Sequence, residues 1–167
     1  MKTSKFPIVF TFCESDIIAE VIGIYCLAPY FYHVKKNMTG QNKGTLRQFG
    51  KKIARAYWNI FFKNTRLVKD AKNLPEIRER LNHISATIRV RLKELRLTLM
   101  AFRASFNEYS YSVDYRDLEI YTDYPIVSIV ECYKKLKKIY LENALPNDSF
   151  CRKLLEPDSF GKKRRYK

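Results

Sequence analysis

Residues 76–106 read EIRERLNHISATIRVRLKELRLTLMAFRASF, and how this stretch is assigned decides the fold. Ile77, Leu81, Ile84, Ile88, Leu92, Leu95, Leu99 and Phe102 recur three and four residues apart, the period of a helix with one apolar face. No Gly or Pro interrupts the run. The spacing predicts a single helix about 45 Å long, at a rise of about 1.5 Å per residue.

Three further helices frame it. One is expected from Ser15 to Phe31, with Ser15 as its cap and Asp16 and Glu20 near its positive end. Val34 to Gly44 is a polar connection. Thr45 opens a second helix whose apolar stripe is Leu46, Phe49, Ile53, Ala56 or Tyr57, and Ile60, closed by Asn73-Leu74-Pro75. After a loop over 107–123, which holds at most a short helical turn near Arg116 to Ile120, Asp123 caps a fourth. Its face is Ile126, Ile129, Val130, Tyr133, Leu136, Ile139 and Tyr140. The expectation is an all-α protein, a four-helix up-down bundle over residues 1–148 with a short N-terminal extension, followed by a basic tail over 149–167. No internal repeat is visible by eye.

Composition narrows the function. A chain of 167 residues that is 46% hydrophobic and 14% aromatic builds one core and is too apolar for disorder. Five Gly and six Pro argue against turn-rich β architectures. Cys13, Cys26, Cys132 and Cys151 form no Cys-x-x-Cys pair, so a reduced, cytoplasmic setting is expected. The short apolar run Phe6 to Phe12 meets Cys13-Glu14-Ser15-Asp16 rather than a cleavage site, and Ile17 to Tyr32 carries Glu20, Gly23 and Pro29. Neither reads as a signal peptide or a membrane span.

Charge is the most informative feature. Lys and Arg number 32 against 17 Asp and Glu, a formal net charge of +15, and no acid occurs from Val21 to Lys69. Arg47, Lys51 and Arg55 share one helical face, widened by Lys52, Lys63 and Arg66. On the expected third helix Arg89, Lys93, Arg96 and Arg103 share one side. Helix faces that forgo intrahelical Glu–Lys pairing suggest an external polyanion, nucleic acid first among them. A solvated basic surface and an anionic membrane surface are the alternatives. Lys162-Lys163-Arg164-Arg165 adds phosphate contacts or solubility.

Catalytic chemistry is sparse. His33 and His83 have no metal-ligand spacing, no Gly-rich phosphate loop is present, and no cofactor is expected. The acids Glu108, Asp114, Asp117, Glu119 and Asp123 read as a solvated loop, and Tyr109, Tyr111, Tyr115, Tyr121 and Tyr124 as the seal at a bundle end. The reading is a binding protein, not an enzyme.

The stretch Gly44-Thr45-Leu46-Arg47-Gln48-Phe49-Gly50-Lys51-Lys52-Ile53, and the run from Glu94 through Leu95-Arg96-Leu97-Thr98-Leu99-Met100-Ala101-Phe102, carry a resemblance. In these segments and its helix order, over about Ile17 to Tyr140, the chain resembles the accessory variability determinant proteins of diversity-generating retroelements. Those four-helix bundles are related in fold to proteins encoded by 23S rRNA intervening sequences. The resemblance implies a ring-like homo-oligomer, a pentamer, that associates with a reverse transcriptase and its template RNA, or an RNA–DNA hybrid, and supports cDNA synthesis. A basic surface at Arg47, Lys51, Arg55, Arg89, Lys93 and Arg96 is implied with it. A ribosomal or other ribonucleoprotein subunit contacting rRNA, and an adaptor for an acidic protein partner, are the competing expectations.

Overall fold

Two short stretches of strict alternation organise the molecule. In residues 5–11 Ile8 and Phe10 are buried between exposed Lys5, Pro7 and Val9. In residues 85–91 Ile88 and Val90 are buried between exposed Ser85, Thr87 and Arg89. A two-residue period with Val, Ile and Thr suits a half-buried strand. The computed structural model, which describes residues 4–27, 38–107 and 118–157, pairs the two as one antiparallel ribbon. Lys5 lies opposite Arg91, Pro7 opposite Arg89, Ile8 opposite Ile88, Val9 opposite Thr87 and Thr11 opposite Ser85.

The described elements run β1 (Lys5–Thr11), α1 (Phe12–Leu27), α2 (Gly40–Lys63), α3 (Thr65–Val68), α4 (Leu74–Leu81), β2 (Ser85–Arg91), α5 (Leu92–Asn107), α6 (Leu118–Thr122), α7 (Ile126–Asn143) and α8 (Ser149–Leu155). The protein is therefore mostly helical, but the single long helix expected over Glu76 to Phe106 is α4, β2 and α5 instead. Ile84, Ile88 and Leu92 fit a helical stripe and a strand alternation equally well. The β-branched Thr87, Ile88 and Val90, and a partner strand in residues 5–11, settle the matter for the strand. The expected N-terminal extension is that partner strand. Asn73 caps the start of α4, accepting from the Glu76 amide at 3.0 Å, rather than closing the helix before it. Pro125, not Asp123, precedes α7, and Asp123 turns the chain there with φ of 56°.

A repeat underlies this layout, contrary to the sequence reading. Each strand passes directly into a 16-residue helix, so that residue i of β1–α1 corresponds to residue i + 80 of β2–α5. Both strands share one burial pattern. The Thr11 amide donates to Glu14 Oε1, and the Arg91 amide donates to Glu94 Oε1, each at 2.9 Å. Only Ile8/Ile88 and Glu14/Glu94 are identical across the two units, which is why the duplication is invisible by eye.

The ribbon's inner residues Ile8, Phe10, Ile88 and Val90 join one core with α1, α2, α5 and α7. Around α5, Leu95, Leu97, Thr98, Leu99, Ala101, Phe102, Ala104, Ser105 and Phe106 are all buried, the signature of a central helix. Helix α1 packs on α2, with Ile22 against Gly50, and α5 packs on α7, with Phe102 and Phe106 against Tyr133. Ser149–Leu155, expected as the start of a tail, docks through Phe150, Cys151 and Leu154. Phe12, Ile60, Val68 and Leu81 form a second small core, where the Phe12 and Tyr57 rings stack at 4.4 Å. His33, Glu108, Asp114, Asp117, Tyr109, Tyr111, Tyr115 and the run Lys162–Arg165 lie outside the described residues.

Candidate nucleic-acid interface

The ribbon presents an outward face without a carboxylate. Its positions are Lys5, Pro7, Val9 and Thr11 on one strand and Ser85, Thr87, Arg89 and Arg91 on the other. Val9 is 52% exposed. Glu14 and Glu94 are turned inward as the caps of α1 and α5, with Glu94 also accepting from Arg91 Nε at 3.2 Å, while the exposed Glu142 of α7 lines a groove along Pro7 and Val9. Thr11 Oγ1 in turn accepts from the Glu14 amide at 3.2 Å, which completes a capping box at the first strand–helix junction.

Both edges of the ribbon are held by lysines in equivalent places. Lys52 of α2 donates its Nζ to the Arg89 carbonyl, and Lys135 of α7 donates to the Val9 carbonyl at 2.7 Å. Val9 and Arg89 are related by the same 80-residue shift. Lys135 also pairs with Glu14 at 2.8 Å. Flanked in this way, the two strands are fixed against α2 and α7 rather than left as free edges open to further strand pairing.

The ten cations singled out in the sequence fall into separate places. Arg47, Lys51 and Arg55 are exposed along α2, and no carboxylate among the described residues pairs with them or with Lys93. Lys52 serves the ribbon edge. Lys63 and Arg66 are exposed at the far end of α2 and on α3, next to Trp58 and Phe62, whose rings stack at 5.7 Å. Arg89 stands on the ribbon, with Nη2 donating to the Lys5 carbonyl at 3.0 Å. Lys93 and Arg96 lie on the first turns of α5, and the Arg96 guanidinium sits 5.4 Å from the Phe150 ring centre. Arg103 is half-buried and donates to the Tyr133 hydroxyl at 3.4 Å. The shared side expected for Arg89, Lys93, Arg96 and Arg103 is thus broken by the passage from strand to helix.

A group of buried titratable side chains ties elements together. Tyr124 donates its hydroxyl to Asp16 Oδ2 at 2.6 Å, and the Arg78 guanidinium lies 3.7 Å over the Tyr124 ring and 3.6 Å from Asp16. Arg78 also reaches Asp123 at 3.4 Å. Removal from water raises the Asp16 carboxyl above its ordinary range, against the downward pull of Tyr124 and Arg78. Burial likewise raises the Cys13 and Cys132 thiols, the opposite of nucleophile activation. Among the described residues no three His, Cys, Asp or Glu side chains gather as a metal site, and no helix is long and apolar enough to cross a membrane.

Sequence reasoning missed Lys5, Pro7, Val9, Ser85 and Thr87 as surface of interest. The signal was present in part: strict alternation over 84–91, a short apolar run rich in Ile, Val and Phe over 6–10, and Thr-x-x-Glu at Thr11 to Glu14. No family model matches the chain, and comparison with curated proteins and with solved structures found no match.

Proposed function

We propose that the protein binds duplex DNA without catalysing a reaction, the outward face of its β-ribbon lying in the major groove and the cations of α2 neutralising phosphates. The observation that carries this reading is the acid-free ribbon face, bearing Lys5, Thr87, Arg89 and Arg91 and braced by Lys52 and Lys135. A B-form major groove, about 12 Å wide, admits a two-stranded ribbon. The major groove of duplex RNA is too narrow for side chains to read, so DNA is the duplex this shape supports. Titration of labelled duplex DNA in anisotropy tests it. Reversal of Arg47, Lys51 and Arg55 to Glu is expected to weaken binding by about 100-fold through lost phosphate contacts, with helicity unchanged; undiminished binding overturns the phosphate role given to α2.

A second reading follows the sequence resemblance: an RNA-binding, oligomeric accessory to a reverse transcriptase. One observation favours it. Trp58 and Phe62 are 49% and 65% exposed beside Lys63 and Arg66, and exposed rings among cations suit stacking of unpaired bases. Co-purification with a neighbouring reverse transcriptase and RNA, together with light scattering for a pentamer, distinguishes it. Sedimentation with ribosomal particles marks the rRNA alternative.

A further inference from the structure

We infer that the DNA site read by this protein is non-palindromic, one half read by hydrogen bonds from Arg89 of β2 and the other by apolar contact from Val9 of β1. The inference rests on the duplex-DNA reading above and adds what the ribbon selects. Two identical chains related by a two-fold axis read two identical half-sites, so the palindrome mirrors the protein's symmetry. Here one chain supplies both halves, and the halves have diverged on the reading face.

The correspondence is position by position. The 80-residue shift matches Lys5 with Ser85, Pro7 with Thr87, Val9 with Arg89 and Thr11 with Arg91. Inside the ribbon the matched residues stay alike, Ile8 with Ile88 and Phe10 with Val90, because both pack on the same core. Outside, no pair is conserved. In the middle of β2, Thr87 and Arg89 offer hydroxyl and guanidinium donors; in the middle of β1, Pro7 and Val9 offer none. Arg89 spends one of its N–H groups on the Lys5 carbonyl, which fixes its stem and leaves further donors.

An arginine in the major groove recognises the O6 and N7 acceptors of guanine, whereas small apolar side chains recognise the methyl of thymine. The ribbon therefore favours G·C under Arg89 and thymine methyls under Val9. Register separates the two chemistries: Arg89, opposite Pro7, lies on one side of the central Ile8–Ile88 pair, and Val9, opposite Thr87, lies on the other.

The test is enrichment from a pool of random-sequence duplex DNA by the full chain, with sequencing of what is retained. A motif that is not its own reverse complement, with G·C in one half, is expected. Arg89→Ala is expected to lose about tenfold or more of the discrimination at that half alone. Val9→Arg, at an exposed position, is expected to draw the other half toward G·C and make the motif more symmetric. A palindromic motif, or binding with no enriched sequence, overturns the inference and leaves the DNA-binding reading standing. No retained duplex at low salt overturns that reading itself.

Discussion

Gly50 sits at the contact of α1 and α2, against Ile22. A Cβ built there meets Ile22 Cγ2 at 2.8 Å, and Ile22 is buried with a branched, stiff side chain. Gly50→Ala gains about 1 kcal/mol of helix propensity but overpacks a site where such insertions cost about 1–3 kcal/mol. A net loss is expected, read as a lower urea midpoint. Asp16 supplies a pH test. Its folded-state carboxyl is raised above the ordinary value, so the native protein binds that proton more tightly than the unfolded chain does. Its contribution is greatest when protonated and declines as pH rises through the window between the ordinary and raised values. Relative to Asp16→Asn, the parent protein should lose stability across that window in urea titrations at stepped pH. A constant difference would show that the carboxyl is not raised.

At the scale of elements, the ribbon depends on its junctions. Glu14 and Glu94 accept amide protons three residues upstream and so fix where strand ends and helix begins. Glu94→Ala is expected to cost about 1 kcal/mol as a lost helix cap. Glu14→Ala is expected to cost about as much, since each glutamate also holds one cation, Lys135 for Glu14 and Arg91 for Glu94; clearly unequal losses in denaturation would show that the two junctions are not equivalent. These junctions also explain what was legible. The Thr11–Glu14 box and the alternation over 84–91 were readable, yet the three- and four-residue stripe of Ile77 to Phe102 overrode them. Helix α2 was legible because its period has no rival, and Leu46, Phe49, Ile53 and Ile60 are buried as its stripe predicts.

For the molecule as a whole, the +15 charge sets salt dependence rather than fold. DNA affinity should fall linearly on a log–log plot against salt, with a slope of about −0.9 per phosphate neutralised. Replacing Arg47, Lys51 and Arg55 with Ala should flatten that slope by about 2–3, whereas Arg89→Ala should change base preference more than slope. Fluorescence titrations at stepped salt separate the two, and equal effects would contradict the division between phosphate and base contacts. The sequence by itself determined a mostly helical chain, the buried stripe of α2 from Leu46 to Ile60 though not its ends, the course of α7, and a surplus of cations without local acids, because these follow from short-range periodicity and composition. Only the tertiary structure decided that residues 85–91 are a strand, since a strand exists only against a partner, here 80 residues away. It alone also showed that two unlike sequences fold as one repeated unit, because repetition lies in burial and backbone bonding while the exposed positions are free to differ.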